Sequence, residues 1–380
     1  MKKANICIIA ASPLGVHWFI RDHIKALSEF SDVTLLTNPE NDTFTPSLED
    51  LKVRLVPIGI KRRFSPWADL VVLIKLILYL RGEKFDLVWA VAPKAGLLGM
   101  LAARIANIKA RLFIFQGEYW ASRTGLWRLF LKLMDKVTAI AASHLLAVSE
   151  SERSFLESNK IVRQGDVTVL GFGSISGVNL KRFNFSQTSR DQIRLSLSIP
   201  NDSEVLLFAG RLTEDKGLFD LTEAFISTAK TRPNLFWLVV GPDEEKIWPN
   251  IVNKLGDCAK RCKYVGFTVN MEKYMAASDF ICLPSRREGF GMVIIEAAAT
   301  GIPAIAYDIY GVSNAIDNGV SGLLVEKNNI KKLTETISLL ADSSDQRKKL
   351  GNAALARVRE KFDQKIVIQG YIDFIKKILP

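Results

Sequence analysis

Short apolar runs alternate with longer, helix-patterned stretches through the first half of the chain. The runs at 5–10, 32–36, 53–57, 87–90, 111–115 and 145–148 suit strands buried on both faces of a parallel sheet. Between them, 19–30, 66–81, 96–107 and 126–142 carry apolar residues at helical spacing. Strand, helix and strand repeated in this way predict a doubly wound parallel sheet. The register restarts at Ser203, with strands expected at 203–210, 235–240, 262–266, 280–283, 303–307 and 322–325. Helices are expected at 215–231, 274–277, 292–300 and 331–342. The stretch from Gly171 to Pro200 is rich in Gly, Ser and Asn and reads as a linker between two Rossmann-like units.

Bulk composition agrees with that division. A chain of 380 residues, 48% hydrophobic and 24% charged, is globular and long enough for two cores. The most apolar helical stretch, 67–80, is interrupted by Asp69 and Lys75 and is too short to span a bilayer. Met1-Lys-Lys and the apolar run after it are too brief for a signal peptide and read as a first strand. The expected location is cytoplasmic, free or peripheral on the inner face of the cytoplasmic membrane. Cys7, Cys258, Cys262 and Cys282 have no zinc-ligand spacing and read as reduced structural thiols.

The net charge of +11 is uneven. Residues 1–180 hold 23 Lys and Arg against 16 Asp and Glu, giving +7, and residues 181–380 hold 28 against 24, giving +4. Lys61-Arg62-Arg63 adjoins the apolar 67–80 stretch, and Trp120, Arg123, Trp127, Arg128 and Lys132 follow. Cations interleaved with Trp and Leu suit an anionic membrane surface or a phosphate-bearing acceptor, against the plainer reading of a solvated basic face. No motif with base-reading geometry accompanies the charge, so nucleic acid is not expected as a partner.

The chemistry concentrates at Glu288-Gly-Phe-Gly-Met-Val-Ile-Ile-Glu296. Two carboxylates bracket a glycine-hinged turn that leads into an apolar helix. The amides of Gly291, Met292 and Val293 would open that helix, and a helix start favours an anion through its N–H groups and its dipole. Carboxylates on either side accept hydrogen bonds from hydroxyls, as a sugar would supply. Gly210-Arg211-Leu-Thr-Glu-Asp-Lys216-Gly217 follows the first strand of the second unit, where ligands of open α/β sheets collect. Arg211 and Lys216 would grip a diphosphate there.

In the first unit, Ser12-Pro-Leu-Gly15 follows the first strand but lacks the glycine spacing of a dinucleotide fingerprint. His17 beside it would either polarise a sugar hydroxyl or simply pack; His23 and His144 read as structural. A glycosidase pair stands about 5–5.5 Å or 6.5–9.5 Å apart, whereas eight helical residues separate atoms by up to about 12 Å. Separate tasks for Glu288 and Glu296 fit better. No Asp-X-Asp motif is present, so no metal or other cofactor is expected.

Glu288 through Glu296 resembles the E-x7-E motif of retaining GT-B glycosyltransferases, group 1 or family 4. Other segments carry the same resemblance across most of the chain. Gly210–Gly217 is similar to the diphosphate-binding segment of that family. The stretches 92–104, 173–183 and 317–325 resemble its bacterial surface-polysaccharide branch. The resemblance implies two Rossmann-like domains facing a cleft: an acceptor domain over 1–172, a linker over 173–200 and a nucleotide-sugar domain over 201–363. Residues 364–380 would return as a helix to the first domain.

By that resemblance Glu288 would contact the transferred sugar and Glu296 the ribose, while Arg211 and Lys216 would neutralise the leaving diphosphate. Gly15 would allow close approach from the first domain, and the backbone at Phe290, Gly291, Met292 and Val293 would hold phosphates or sugar. Many relatives carry a histidine after the strand ending here at Phe115; this chain has Gln116-Gly-Glu118, which puts Glu118 beside His17 and Lys94 as acceptor-side candidates. The implied activity is transfer, with retention, of a hexose or N-acetylhexosamine from a nucleotide-diphosphate sugar, a UDP-sugar foremost. The acceptor would be a lipid-linked saccharide in capsule or O-antigen assembly. A UDP-sugar epimerase of the same fold, acting on the donor alone, and a non-catalytic nucleotide-sugar or glycan-binding protein are the alternatives.

Overall fold

Ile6, Cys7, Ile8 and Ile9 are wholly buried in β1 (Ala4–Ala10), as a strand covered on both faces requires. The computed structural model describes residues 3–41, 47–61 and 64–379, in two compact units, Met1–Ser176 with Lys365–Pro380 and Gly177–Gln364. In the first, β1 is joined by β2 (Ser31–Thr37), β3 (Arg54–Pro57), β4 (Leu87–Val91), β5 (Ala110–Phe115), β6 (His144–Ala147) and β7 (Val167–Val169). The order is β3-β2-β1-β4-β5-β6-β7, parallel throughout. Since β1 leads outward to β2 and β4 leads the other way to β5, the sheet reverses direction between β1 and β4.

Right-handed crossovers put the helices Pro66–Glu83, Pro93–Ile105 and Gly125–Ala141 on one face of this sheet. The middle helix sinks close to the strands because Gly96 lies on the Phe113 ring, where an added Cβ would come within 2.1 Å. The helix Gln364–Ile378 packs on this unit through Tyr371, whose ring stacks on Trp89 at 6.4 Å and whose hydroxyl donates to the Ser174 carbonyl at 3.2 Å.

The second unit holds β8 (Glu204–Ala209), β9 (Leu235–Val240), β10 (Cys262–Gly266), β11 (Phe280–Leu283), β12 (Ala304–Asp308) and β13 (Gly322–Glu326). Its order is β10-β9-β8-β11-β12-β13, again all parallel. Here the sheet reverses between β8 and β11.

Both halves are α/β and doubly wound, with the strands where the hydrophobic pattern predicts them, apart from β7, a three-residue strand that the pattern does not predict. Several elements differ. The stretch expected as linker contains the helix Gln187–Ser196, capped by Ser186. Arg194 explains it: the guanidinium, 1% exposed, donates to the carbonyls of Ala277, Pro200, Asn201 and Ser203 and pairs with Asp279 at 2.8 Å. The helix expected at 215–231 starts only at Leu218, because Gly217 turns into the left-handed region at φ 69°. The first helix begins earlier than expected, at Pro13. Ser12 caps it by accepting from the Gly15 amide, and Pro13 fills a position that needs no N–H. Of the basic run at 61–63, Arg62 and Arg63 lie outside the described residues.

Candidate functional site

The reversal between β8 and β11 determines where a ligand can enter the second sheet. Loops leaving the carboxyl ends of these neighbours diverge to opposite sides, and the gap between them is the usual binding crevice of an open α/β sheet. The loop after β8 carries Arg211 and Lys216, and the loop after β11 carries Glu288. Lys216 Nζ lies 2.5 Å from Glu288 Oε1, with both side chains about five-sixths buried. The pair therefore spans the crevice.

Backbone packing fixes this approach. A Cβ at Gly217 would stand 2.0 Å from the Pro284 carbonyl oxygen, so only glycine lets the Lys216 turn lie against the end of β11. The Arg286 amide donates to the Asp215 carbonyl at 2.8 Å, and Arg287 pairs with Asp215 at 3.3 Å. Arg286 in turn grips the buried Asp220 carboxylate at 3.0 and 3.2 Å, and the Tyr307 hydroxyl donates to the same group at 2.9 Å. The sequence gives no periodic signal for this Asp220–Arg286–Tyr307 set; its members meet only through the fold.

Gly291, at φ 77°, is the N-cap of the helix Met292–Ala299 and offers no side chain to cap it. Met292 and Val293 are half-buried in its first turn. The Phe290 side chain is buried edge-on against Phe362 at 5.3 Å and anchors the loop, so a ligand would meet its backbone rather than its ring. Glu296 sits one turn into the helix. Burial pushes its carboxyl up to about 7, with Arg182 opposing that shift and Glu272 adding to it. The two glutamates thus differ in kind: Glu288 is held by a cation, Glu296 is desolvated. Arg211, by contrast, is half-exposed and pairs with Glu244 at 2.9 Å, in the loop after β9.

The first unit repeats the logic. Its reversal between β1 and β4 brings together the loop with Gly15 and His17 and the loop with Lys94. Gly15 has helical backbone at φ −63°, so its use lies in open space rather than in an unusual conformation; a Cβ there would meet only Ser12 Oγ, at 3.9 Å. His17 lies in a π-turn, Val16–Ile20, with Nδ1 3.3 Å from Arg21. Lys94 Nζ is 2.7 Å from the buried Asp69 carboxylate. Before it, Ala92 takes φ 76° and ψ 152°, a region that side chains rarely adopt and that sequence reading does not reveal.

Glu118, after β5, is buried beside Glu152. Glu152 accepts from the Val148 amide at 2.9 Å and from the Gly117 amide. Burial, then the neighbouring Glu118, raises the Glu152 carboxyl far above its ordinary range. Among the described residues no group of three or more His, Cys, Asp or Glu is placed to hold a metal ion.

Comparison with known proteins places these features in a family. The model of Glycosyl transferases group 1 matches residues 189–357, and that of the Glycosyl transferase 4-like domain matches residues 15–173. The capsular polysaccharide biosynthesis glycosyltransferase CapM of Staphylococcus aureus is 30% identical over 82% of this chain and 81% of its own length. An N,N'-diacetylbacillosaminyl-diphospho-undecaprenol alpha-1,3-N-acetylgalactosaminyltransferase of Campylobacter jejuni is 26% identical over 99% of both chains. Among solved structures, Anabaena HepE in complex with UDP and glucose superposes with a TM-score of 0.81, at 19% identity over 98% of this chain and 100% of that one. That likeness is one of fold, the GT-B arrangement of two Rossmann-like domains. With both halves matched, the chain belongs to the group 1 glycosyltransferases.

Proposed function

We propose that this glycosyltransferase moves a hexose or N-acetylhexosamine from a UDP-sugar to a lipid-linked saccharide during bacterial surface-polysaccharide assembly, with retention of anomeric configuration. The observation that carries the reading is the Lys216–Glu288 pair at the β8–β11 reversal. A cation and a hydroxyl acceptor held together at one crevice suit the junction between a diphosphate and its sugar. Lys216 and the helix start at Gly291 would stabilise charge growing on the leaving diphosphate as the anomeric C–O bond breaks. Arg211 would join them by exchanging Glu244 for phosphate. Glu288 would accept from sugar hydroxyls and Glu296 from the ribose.

The acceptor hydroxyl would attack from the face the diphosphate leaves, its proton passing to a donor phosphate oxygen. His17, Lys94 and Glu118 would serve the acceptor side, Glu118 by shaping its loop from within. The lipid-linked acceptor is supported by the relatives' names, which include an undecaprenyl-diphosphate saccharide in Campylobacter jejuni and in an Escherichia coli galactosyltransferase. The basic, aromatic first unit supports an acceptor at an anionic membrane.

A panel of nucleotide sugars tested for thermal stabilisation identifies the donor, because only a ligand bound by the folded state raises its melting point. A UDP-sugar should give the largest shift, and Lys216→Ala should remove it. Equal, negligible shifts across the panel would overturn the donor reading. Conversion of the donor to a different nucleotide sugar without any acceptor would show an epimerase instead.

A further inference from the structure

The helix Pro66–Glu83 is apolar on two sides. Val72, Leu76 and Leu80 are buried against the sheet, whereas Trp67, Leu70, Val71, Ile74 and Leu78 form a second stripe, 47–82% exposed. The spacing of 67, 71, 74 and 78 is that of one helical face. The helix Gly125–Ala141 repeats the device: Leu126, Leu129, Leu133 and Ile140 lie on one outward face and are 53–83% exposed. These are the two helices that flank the recessed Pro93–Ile105 helix, and they stand as parallel ridges on the same side of the sheet. Phe64, 52% exposed, links them, with its ring 6.3 Å from Trp127 and 5.3 Å from Phe130. A ridge pair of this size is unusual on a protein that meets only water.

Charge selects the occupant. Neither outward stripe carries a carboxylate. Asp69 is buried against Lys94, Glu83 pairs with Arg54, and Asp135 accepts from the Trp120 indole at 2.7 Å. Exposed cations border the stripes instead, with Lys75 on the first helix, Lys136 in line with Leu129, Leu133 and Ile140 on the second, and Arg81 at the first helix's end. Arg128 and Lys132 lie over the Trp120 ring at 5.5 and 5.0 Å, their stems against apolar surface. Apolar ridges with Trp, Phe and Leu, edged by Lys and Arg and free of acid, complement the boundary between headgroups and acyl chains of an anionic bilayer. Among the described residues no helix is long and apolar enough to cross a membrane, so contact would be lateral.

We propose that the outward faces of Pro66–Glu83 and Gly125–Ala141 seat together in the interface of an anionic membrane, by shallow insertion rather than by charge alone. This extends the reading of a lipid-linked acceptor by naming the docking surface and how it holds, and it can be tested without donor or acceptor. The full chain is sedimented with phosphatidylcholine vesicles, with and without about 30% phosphatidylglycerol. Binding is expected to the anionic vesicles, and raised salt should weaken it without abolishing it. The double variant Ile74→Glu, Leu129→Glu changes two exposed positions outside the donor crevice, and should lower the vesicle-bound fraction at least about tenfold.

Unchanged melting of that variant, and unchanged transfer to a water-soluble short-chain acceptor, would show that the fold and site are intact. No binding by the natural chain, equal binding by the variant, or binding wholly lost in salt would each overturn the proposal. So would lipid-free dimerisation that the variant abolishes, since the ridges would then cover a second copy. A natural chain that binds vesicles but transfers no sugar would leave this docking surface standing and remove the transferase reading.

Discussion

Lys216 and Glu288, 72 residues apart in the chain, meet at 2.5 Å across the point where the second sheet reverses its winding. Each stands in the loop that leaves its own strand, β8 or β11, and the strands are direct neighbours, with Phe280 opposite Leu206 and Ile281 opposite Leu207. Their contact makes each the other's main compensation for lost water. Changing Lys216→Met or Glu288→Gln singly should destabilise by about 1–3 kcal/mol, because a mostly buried charge then loses its partner. The double variant should lose less than the sum. Each single change should lower kcat by about 10²–10³, the usual effect of removing one preorganised electrostatic contact. Urea denaturation of the four proteins measures the coupling; additive losses would mean that the two groups do not act as a unit.

Gly217 tests the backbone side of the same relationship. Gly217→Ala combines a left-handed residue with a Cβ that would stand 2.0 Å from the Pro284 oxygen. The strand end or the turn must move, and a loss of about 2–4 kcal/mol is expected. Because the shift displaces Lys216, kcat should fall with stability. Gly256→Ala is the control: its φ of 52° and ψ of −128° disfavour a side chain, but nothing lies within 4 Å of an added Cβ, so it should cost about 1–3 kcal/mol through backbone strain alone and leave kcat unchanged.

Much of this was legible in the chain because buried parallel strands leave a strong trace. Continuous apolar runs such as Leu235–Val240 and Phe280–Leu283 have the bounds the pattern predicts. The loops that carry Lys216 and Glu288 were legible as loops too, since glycines and charges close the apolar runs before them. What the pattern hid is polar or tertiary. The helices Glu150–Ser158 and Ser344–Lys361 bury few apolar side chains, Leu156 in one and Leu350, Ala354 and Val358 in the other, too few to stand out among polar neighbours. The Gln187–Ser196 helix looked like linker because its anchor is Arg194, a residue that pattern reading assigns to solvent. Asp220 and Tyr307 gave no sign of their hold on Arg286, as nothing local connects them.

Glu296 gives a pH dependence with a definite sign. Its folded-state carboxyl is raised from 4.5 to about 7, chiefly by burial. Between those values the folded chain holds a proton that the unfolded chain has released, so stability falls as pH rises through this window and levels off above it. The contribution is on the order of 2 kcal/mol after allowing for partial exposure. Glu296→Gln should flatten that slope. UDP affinity in the natural chain should rise from pH 6 to pH 8, because an ionised carboxylate accepts ribose hydroxyls better than a protonated one. Denaturation curves at pH 5 and 8 check the first point and calorimetric titration of UDP the second; identical slopes in both proteins would rule out this role.

Glu152 calls for the same substitution. Its carboxyl is buried, accepts from the Val148 amide at 2.9 Å and from the Gly117 amide, and faces Glu118. Burial and then the Glu118 charge favour its protonated form. Glu152→Gln keeps the shape, but each Glu152 oxygen accepts from an amide, so the NH2 that donates to Glu118 would leave one of those amides without an acceptor. It should therefore be the less stable chain near pH 4.5, by about 1–3 kcal/mol, and that deficit should shrink as pH rises, because only in the natural chain does folding hold a Glu152 proton that the unfolded state gives up. Glu152→Ala should lose about 2–4 kcal/mol at every pH, because two amides and the Glu118 carboxyl lose their partner together. The loop at Gln116–Glu118 would loosen with it, so acceptor KM should rise in Glu152→Ala while donor binding holds. Urea midpoints of both chains at pH 4.5 and 8 measure that change. A deficit that grows as pH rises would mean that Glu152 is ionised in the folded chain and held by something other than a proton.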